Sequence, residues 1–75
     1  MNSPNNLLSP QQRIIFQYLV DGCTIKEISV AMGIAIATVR KHINKGKVKM
    51  LAKTHDHAIA LVIARGEVFV KLPLG

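Results

Sequence analysis

The chain has 75 residues, 49% of them hydrophobic and 19% charged, with a formal net charge of +6. That length supports one domain with a small core, able to fold alone but with little stability in reserve, and it argues against a large catalytic cleft. The single Cys23 excludes an internal disulfide and a cysteine-based zinc site, fits a reducing cytoplasm, and reads as a small core residue.

Residues 1–6 read as a disordered polar lead with neither the basic nor the apolar region of a secretory signal. Ser9-Pro10-Gln11-Gln12 then supplies a helix start, with Ser9 as N-cap, Pro10 at the first helical position and Gln12 reaching back to close a capping box. Ile14, Ile15, Tyr18 and Leu19 follow at helical spacing, Phe16 and Val20 widen the apolar face, and Gly22 offers a left-handed stop. Thr24-Ile25-Lys26-Glu27 is a second capping box. It opens a helix of about two turns, whose buried side is Ile25, Ile28, Ala31 and Met32 and which Gly33 ends.

After the turn Gly33-Ile34-Ala35, the segment from Ile36 onward places Val39, Ile43, Gly46 and Met50 on one face and Arg40, Lys41, Asn44 and Lys45 on the opposite one. Gly46 is the odd member of the apolar face, because Gly in a helix interior costs about 1 kcal/mol relative to Ala. Lys47, Val48, Lys49 and Met50 remain helix-compatible. Either a neighbouring backbone packs closely at Gly46, or the helix ends near Lys45 with this glycine as a left-handed C-cap, where Gly46→Ala would destabilise. The favoured reading is a continuous helix in which Gly46→Ala stabilises by roughly 0.5 to 1 kcal/mol, provided a neighbour leaves room. Asp56 is the expected cap of a last helix through Ala58, Ile59, Leu61, Val62 and Ile63, with Gly66 just past its end. The longest apolar run, Ala58 to Ala64, falls far short of the roughly 20 residues that span a bilayer, so a soluble intracellular protein is expected. The tail Val68 to Leu72 is apolar and β-prone, and Pro73 closes it. Residues 7–67 are thus read as the functional domain and 68–75 as an apolar tail, with no internal repeat or linker.

Arg40 to Lys53 holds Arg40, Lys41, Lys45, Lys47, Lys49 and Lys53, six of the ten basic residues, and no Asp or Glu. Elsewhere Arg13, Lys26, Arg65 and Lys71 balance Asp21, Glu27, Asp56 and Glu67. Charge gathered in this way is the footprint of a phosphate-binding surface, since each neutralised phosphate releases condensed counterions. An ordinary solvated face is the competing reading, and the absence of nearby acids favours nucleic acid. Two short helices joined by a glycine turn, the second bearing Arg, Lys and Asn, describe a helix-turn-helix, whose first helix braces against the DNA backbone while the second enters the major groove.

Read without gaps, Leu8-Ser9-Pro10, Gly22, Lys26-Glu27-Ile28, Gly33-Ile34, Thr38-Val39-Arg40-Lys41-His42, Lys49-Met50, Ala58-Ile59 and Gly66 resemble the LuxR/GerE-type DNA-binding domain over roughly Leu8 to Gly66. The resemblance implies an all-α, four-helix domain that binds DNA as a dimer, here in the manner of the stand-alone regulators. Several positions depart from the family. Ala35 stands where it usually has a Ser or Thr N-cap, Ile36, Ala37 and Val30 where it is usually polar or charged, and Gly46 where it has a core aliphatic. Gln12 and Ile14 replace residues that are commonly Glu, which weakens ion pairing of the first helix.

On this reading Asn44 and Arg40 are the candidates for base edges, Asn suiting adenine and Arg guanine. Lys41 reads bases or phosphate, while Lys45, Lys47 and Lys49 position the backbone. Thr38 is either a helix-start residue or a phosphate contact. Thr24 and Glu27 are mainly structural caps, though a cap at a helix N-terminus can also approach phosphate, and Thr24 and Lys26 are counted among the DNA-binding candidates. Ile59, Val62 and Ile63 are more than one four-helix core needs on a single helix, so a homodimer interface competes there with burial against the tail. His42 reads as a packing residue, and His55 and His57 lack metal-site company, so no cofactor is expected. Without an acid/base pair, nucleophile or metal set the chain is not expected to be an enzyme. The expectation is a transcriptional regulator binding double-stranded DNA as a homodimer, cytoplasmic and nucleoid-associated, encoded by a bacterium or phage. The alternative is a protein-interaction module in which exposed Val30, Ile36, Ala37 and the tail pair with another transcriptional regulator.

Overall fold

Both capping boxes form. In a computed structural model, which describes residues 7–71, the Ser9 hydroxyl accepts from the Gln12 N–H at 3.2 Å and the Ser9 N–H donates to Gln12 Oε1 at 3.0 Å, opening α1 (Pro10–Val20). The Thr24 hydroxyl accepts from the Glu27 N–H at 3.1 Å, and Glu27 Oε1 accepts from the Thr24 N–H at 2.8 Å, opening α2 (Ile25–Met32). Those bonds to Thr24 hold the Glu27 carboxyl below the usual carboxylate range. Two more helices follow, α3 (Ile36–Lys49) and α4 (His55–Ala64). The expected polar lead at residues 1–6 and the end of the tail, Pro73 included, lie outside the described residues.

The cap of α4 is Thr54, not Asp56. Thr54 has extended backbone angles and its hydroxyl accepts from the His57 N–H at 3.0 Å. Asp56 instead falls inside the first turn, where a carboxylate is favoured by the helix dipole.

All four helices close alike. In α3 the Ala52 N–H donates to the Lys47 carbonyl at 2.9 Å and the Leu51 N–H to the Val48 carbonyl at 3.1 Å, the paired bonds of a Schellman motif. Gly22, Gly33 and Gly66 take the left-handed position after α1, α2 and α4, but after α3 it is taken by Leu51 at φ 56°. A side chain there costs about 1–2 kcal/mol. Leu51 is 85% exposed, so little packing is lost on its removal. After subtracting the ~0.5–1 kcal/mol entropy cost of glycine, Leu51→Gly is expected to stabilise the domain by about 0.5–1 kcal/mol. Thermal melting checks this, and a lower midpoint would contradict it.

The core is built from Leu8, Ile15, Phe16, Ile28, Val39, Ile43, Ala58, Val62 and Val68. Helices α1 and α2 pack on α3, and α4 packs on α1 and α3. The buried stripe of α1 runs Gln12, Ile15, Phe16, Leu19, an i, i+3, i+4, i+7 pattern that rotates Ile14 outward to 49% exposure. In α2 the stripe is Ile25, Ile28 and Met32, and Ala31, expected on it, is exposed. Val39, Ile43 and Gly46 are buried as expected.

Helix α3 is continuous through Gly46, but the expected room is absent. A Cβ on Gly46 would lie 2.6 Å from Cε2 and 3.2 Å from Cζ of Phe16, and 3.4 Å from Cδ2 of Leu8. Glycine is there because the Phe16 ring lies against the backbone of α3.

The tail is stitched down. Glu67, itself buried, accepts from the Leu8 N–H at 3.2 Å and pairs with Arg65 Nε at 3.0 Å, and Val68 enters the core. The Gln17 amide then clamps Phe69 through two 2.8 Å bonds, to its carbonyl and from its N–H. No strand forms among the described residues, since this side-chain amide takes the backbone groups a neighbouring strand would use. No helix of the described residues is long and apolar enough to cross a membrane.

Candidate nucleic-acid interface

Burial of Val39, Ile43 and Gly46 fixes which side of α3 faces out. That side is one stripe, Ala37, Arg40, Lys41, Asn44, Lys45, Val48 and Lys49, at the i, i+3, i+4, i+7 recurrence of a helix face. Arg40, Lys41, Asn44 and Lys45 are all exposed on it. Among the described residues no carboxylate forms an ion pair with a cation of α3. The stripe therefore carries a line of uncompensated positive charge, flanking one amide, and is about three turns long at 1.5 Å per residue.

Other site residues fall differently. Lys49 is exposed, yet its ammonium donates to Gln12 Oε1 at 3.0 Å, so it braces α3 against the α1 capping box. Thr38 and Lys47 are half-buried, while Thr24 and Lys26 sit exposed at the start of α2. Lys47 shares a recess of about 300 Å³ with Ile25, Arg40, Ile43, Asn44 and His55. His55 is the member of this recess that the sequence does not announce, since its composition and spacing speak only to metal binding. It is the first residue of α4, which carries it to α3, a place that the sequence hides because Asp56 reads there as the cap. Among the described residues no group of His, Cys, Asp and Glu could hold a metal ion. His42 is half-buried, with its Nδ1 buried and without a partner.

The three residues expected at a dimer face are not equivalent. Val62 is fully buried in the domain's own core and cannot meet a second copy; Ile59 is half-buried and packed against that core, and Ile63 is 41% exposed. The period of α4 explains the split, since Ala58 and Val62, four apart, share the inward face.

The N-terminus of α3 has no side-chain cap. Ala35 occupies the cap position with extended backbone angles (φ −66°, ψ 149°) that suit a capping serine, and it is exposed. Ala35→Ser is expected to stabilise the domain by about 1 kcal/mol, the usual worth of such a cap. Urea unfolding measures it, and an unchanged midpoint would contradict it.

Comparison with known proteins agrees with this architecture. A family model, sigma-70, region 4, matches residues 6–50, ending at Met50, the C-cap of α3. The spore germination protein GerE of Bacillus subtilis (strain 168) is 34% identical over 61 residues, 81% of this chain and 82% of that protein. The transcriptional activator protein CarR of Pectobacterium carotovorum subsp. carotovorum is 40% identical over 58 residues, 77% of this chain but only 24% of that protein, so the chain spans about a quarter of CarR. With four helices, a glycine-closed turn before α3 and a family match across α1 to α3, the chain belongs to the helix-turn-helix DNA-binding domains of the sigma-70 region 4 family, with GerE among its relatives.

Proposed function

We propose that this is a LuxR/GerE-type domain that binds double-stranded DNA sequence-specifically, inserts α3 into the major groove and regulates transcription as a cytoplasmic homodimer. The observation that carries this is the outer stripe of α3, where Arg40, Lys41, Asn44 and Lys45 lie exposed and unpaired opposite the buried Val39/Ile43 face. Similarity to GerE over most of that protein, and to a transcriptional activator, supports the finer assignment. Arg40 and Asn44 take the base edges, and Lys41 reads bases or phosphate. Lys45 and Lys47, with Thr38, Thr24 and Lys26, hold the backbone. Lys49 joins them by exchanging its bond to Gln12 for a phosphate.

Selection from a random duplex pool tests the reading. Enrichment of a two-fold related sequence is expected, and failure to enrich any sequence would overturn it. A second reading, a module that pairs with another regulator, is favoured by one observation: Val30 is 78% and Ile36 41% exposed. For the homodimer, Ile63 with Ile59 beside it is the remaining apolar contact on α4. Ile63→Asp is expected to shift the protein toward monomer in sedimentation, because the charge would have to be desolvated on pairing. A wild type that stays monomeric at high concentration would contradict the dimer.

A further inference from the structure

The outward stripe of α3 is not wholly polar. Ala37 precedes Arg40, Lys41 and Asn44 by three, four and seven residues, lies on the same stripe, and is exposed. Just before it come exposed Ala35 and Ile36, the latter 41% exposed, and no side-chain cap covers the turn. The first turn of α3 thus presents methyl groups and backbone N–H groups, with no charged or amide side chain. In a helix-turn-helix complex the N-terminal residues of the recognition helix are the ones that meet base edges.

The chemistry of the groove then restricts what Ala37 can face. Every major-groove base edge carries hydrogen-bond donors or acceptors, and thymine alone adds an apolar group, its C5-methyl. Pressing a methyl side chain against a polar edge strips water from that edge and returns no hydrogen bond. Against the thymine methyl, both surfaces leave water favourably.

Resting on the DNA reading above, we propose that Ala37 reads a thymine through its C5-methyl group, with Ile36 flanking it, and so sets one base of each half-site. Asn44 lies seven residues on, ~10 Å along the helix, so the thymine falls about three base steps from the base Asn44 contacts.

Thymine-to-deoxyuridine exchange removes that one methyl and leaves every hydrogen bond in place. In the selected duplex, exchange at one thymine in a single half-site is expected to weaken binding about fourfold, the worth of one buried methyl group, and exchange in both half-sites about fifteenfold. Ala37→Ser is expected to bind the thymine and deoxyuridine duplexes equally while keeping the wild-type salt dependence, which shows that α3 still docks. Selective binding that is indifferent to deoxyuridine at every thymine would overturn the inference alone. So would Ala37→Ser retaining the discrimination, which would move the contact to Val48. A protein that binds no duplex would overturn the DNA reading as well and assign the apolar turn to a protein partner.

Discussion

Gly46→Ala is expected to destabilise the domain by about 1–2 kcal/mol, although alanine is the better helix former. Two effects of opposite sign compete. The propensity gain in a continuous helix is about 1 kcal/mol, whereas overpacking a filled core costs typically 1–3 kcal/mol. The distance decides between them. A Cβ 2.6 Å from a ring carbon of Phe16 overlaps it by about an ångström relative to ordinary 3.5–4.0 Å contact, which puts the cost toward the upper end of that range. The ring cannot yield cheaply, because Phe16 is fully buried, and Leu8, 3.4 Å from the same Cβ, is buried as well. Phe16→Leu removes the clashing atoms, so in that background Gly46→Ala should lose most of its penalty, a positive coupling read from a double-mutant cycle. A Gly46→Ala variant as stable as wild type would show that the core adjusts freely.

Arg40→Ala and Asn44→Ala are each expected to cost about 1–3 kcal/mol of binding to the selected site, and to relax preference at particular positions rather than everywhere. Both side chains are exposed on the stripe that α3 turns away from the core; Arg can donate to guanine O6 and N7, and Asn can donate to adenine N7 while accepting from its N6 amino group. Binding to selected and random duplexes separates base reading from backbone contact. Equal losses on the two would assign these residues to phosphate.

Much of this was legible in the sequence because it is local. Ser9 with Gln12 and Thr24 with Glu27 announce their helix starts within four residues, and both boxes form. The buried and cationic faces of α3 follow from one period, and the matches of Val39 and Ile43 to the core needed no knowledge of their neighbours. Most of what failed depends on elements distant in sequence. The room beside Gly46 is set by Phe16, thirty residues earlier, and the ammonium of Lys49 is drawn inward by Gln12. Val62 was offered to a dimer because α4 is apolar on most sides, and only the packing of α1 and α3 against it shows which side is inside. Asp56 and Thr54 are both competent caps two residues apart, and the fold selects Thr54.

If the unpaired cations of α3 meet DNA phosphates and bases, as proposed, duplex binding must depend steeply on salt. The logarithm of the binding constant should fall linearly with the logarithm of salt concentration, and Lys45→Ala should weaken selected and random duplexes alike while reducing the slope by about one unit. A wild-type affinity independent of salt, or a slope that Lys45→Ala leaves unchanged, would mean that α3 does not bind DNA through these cations.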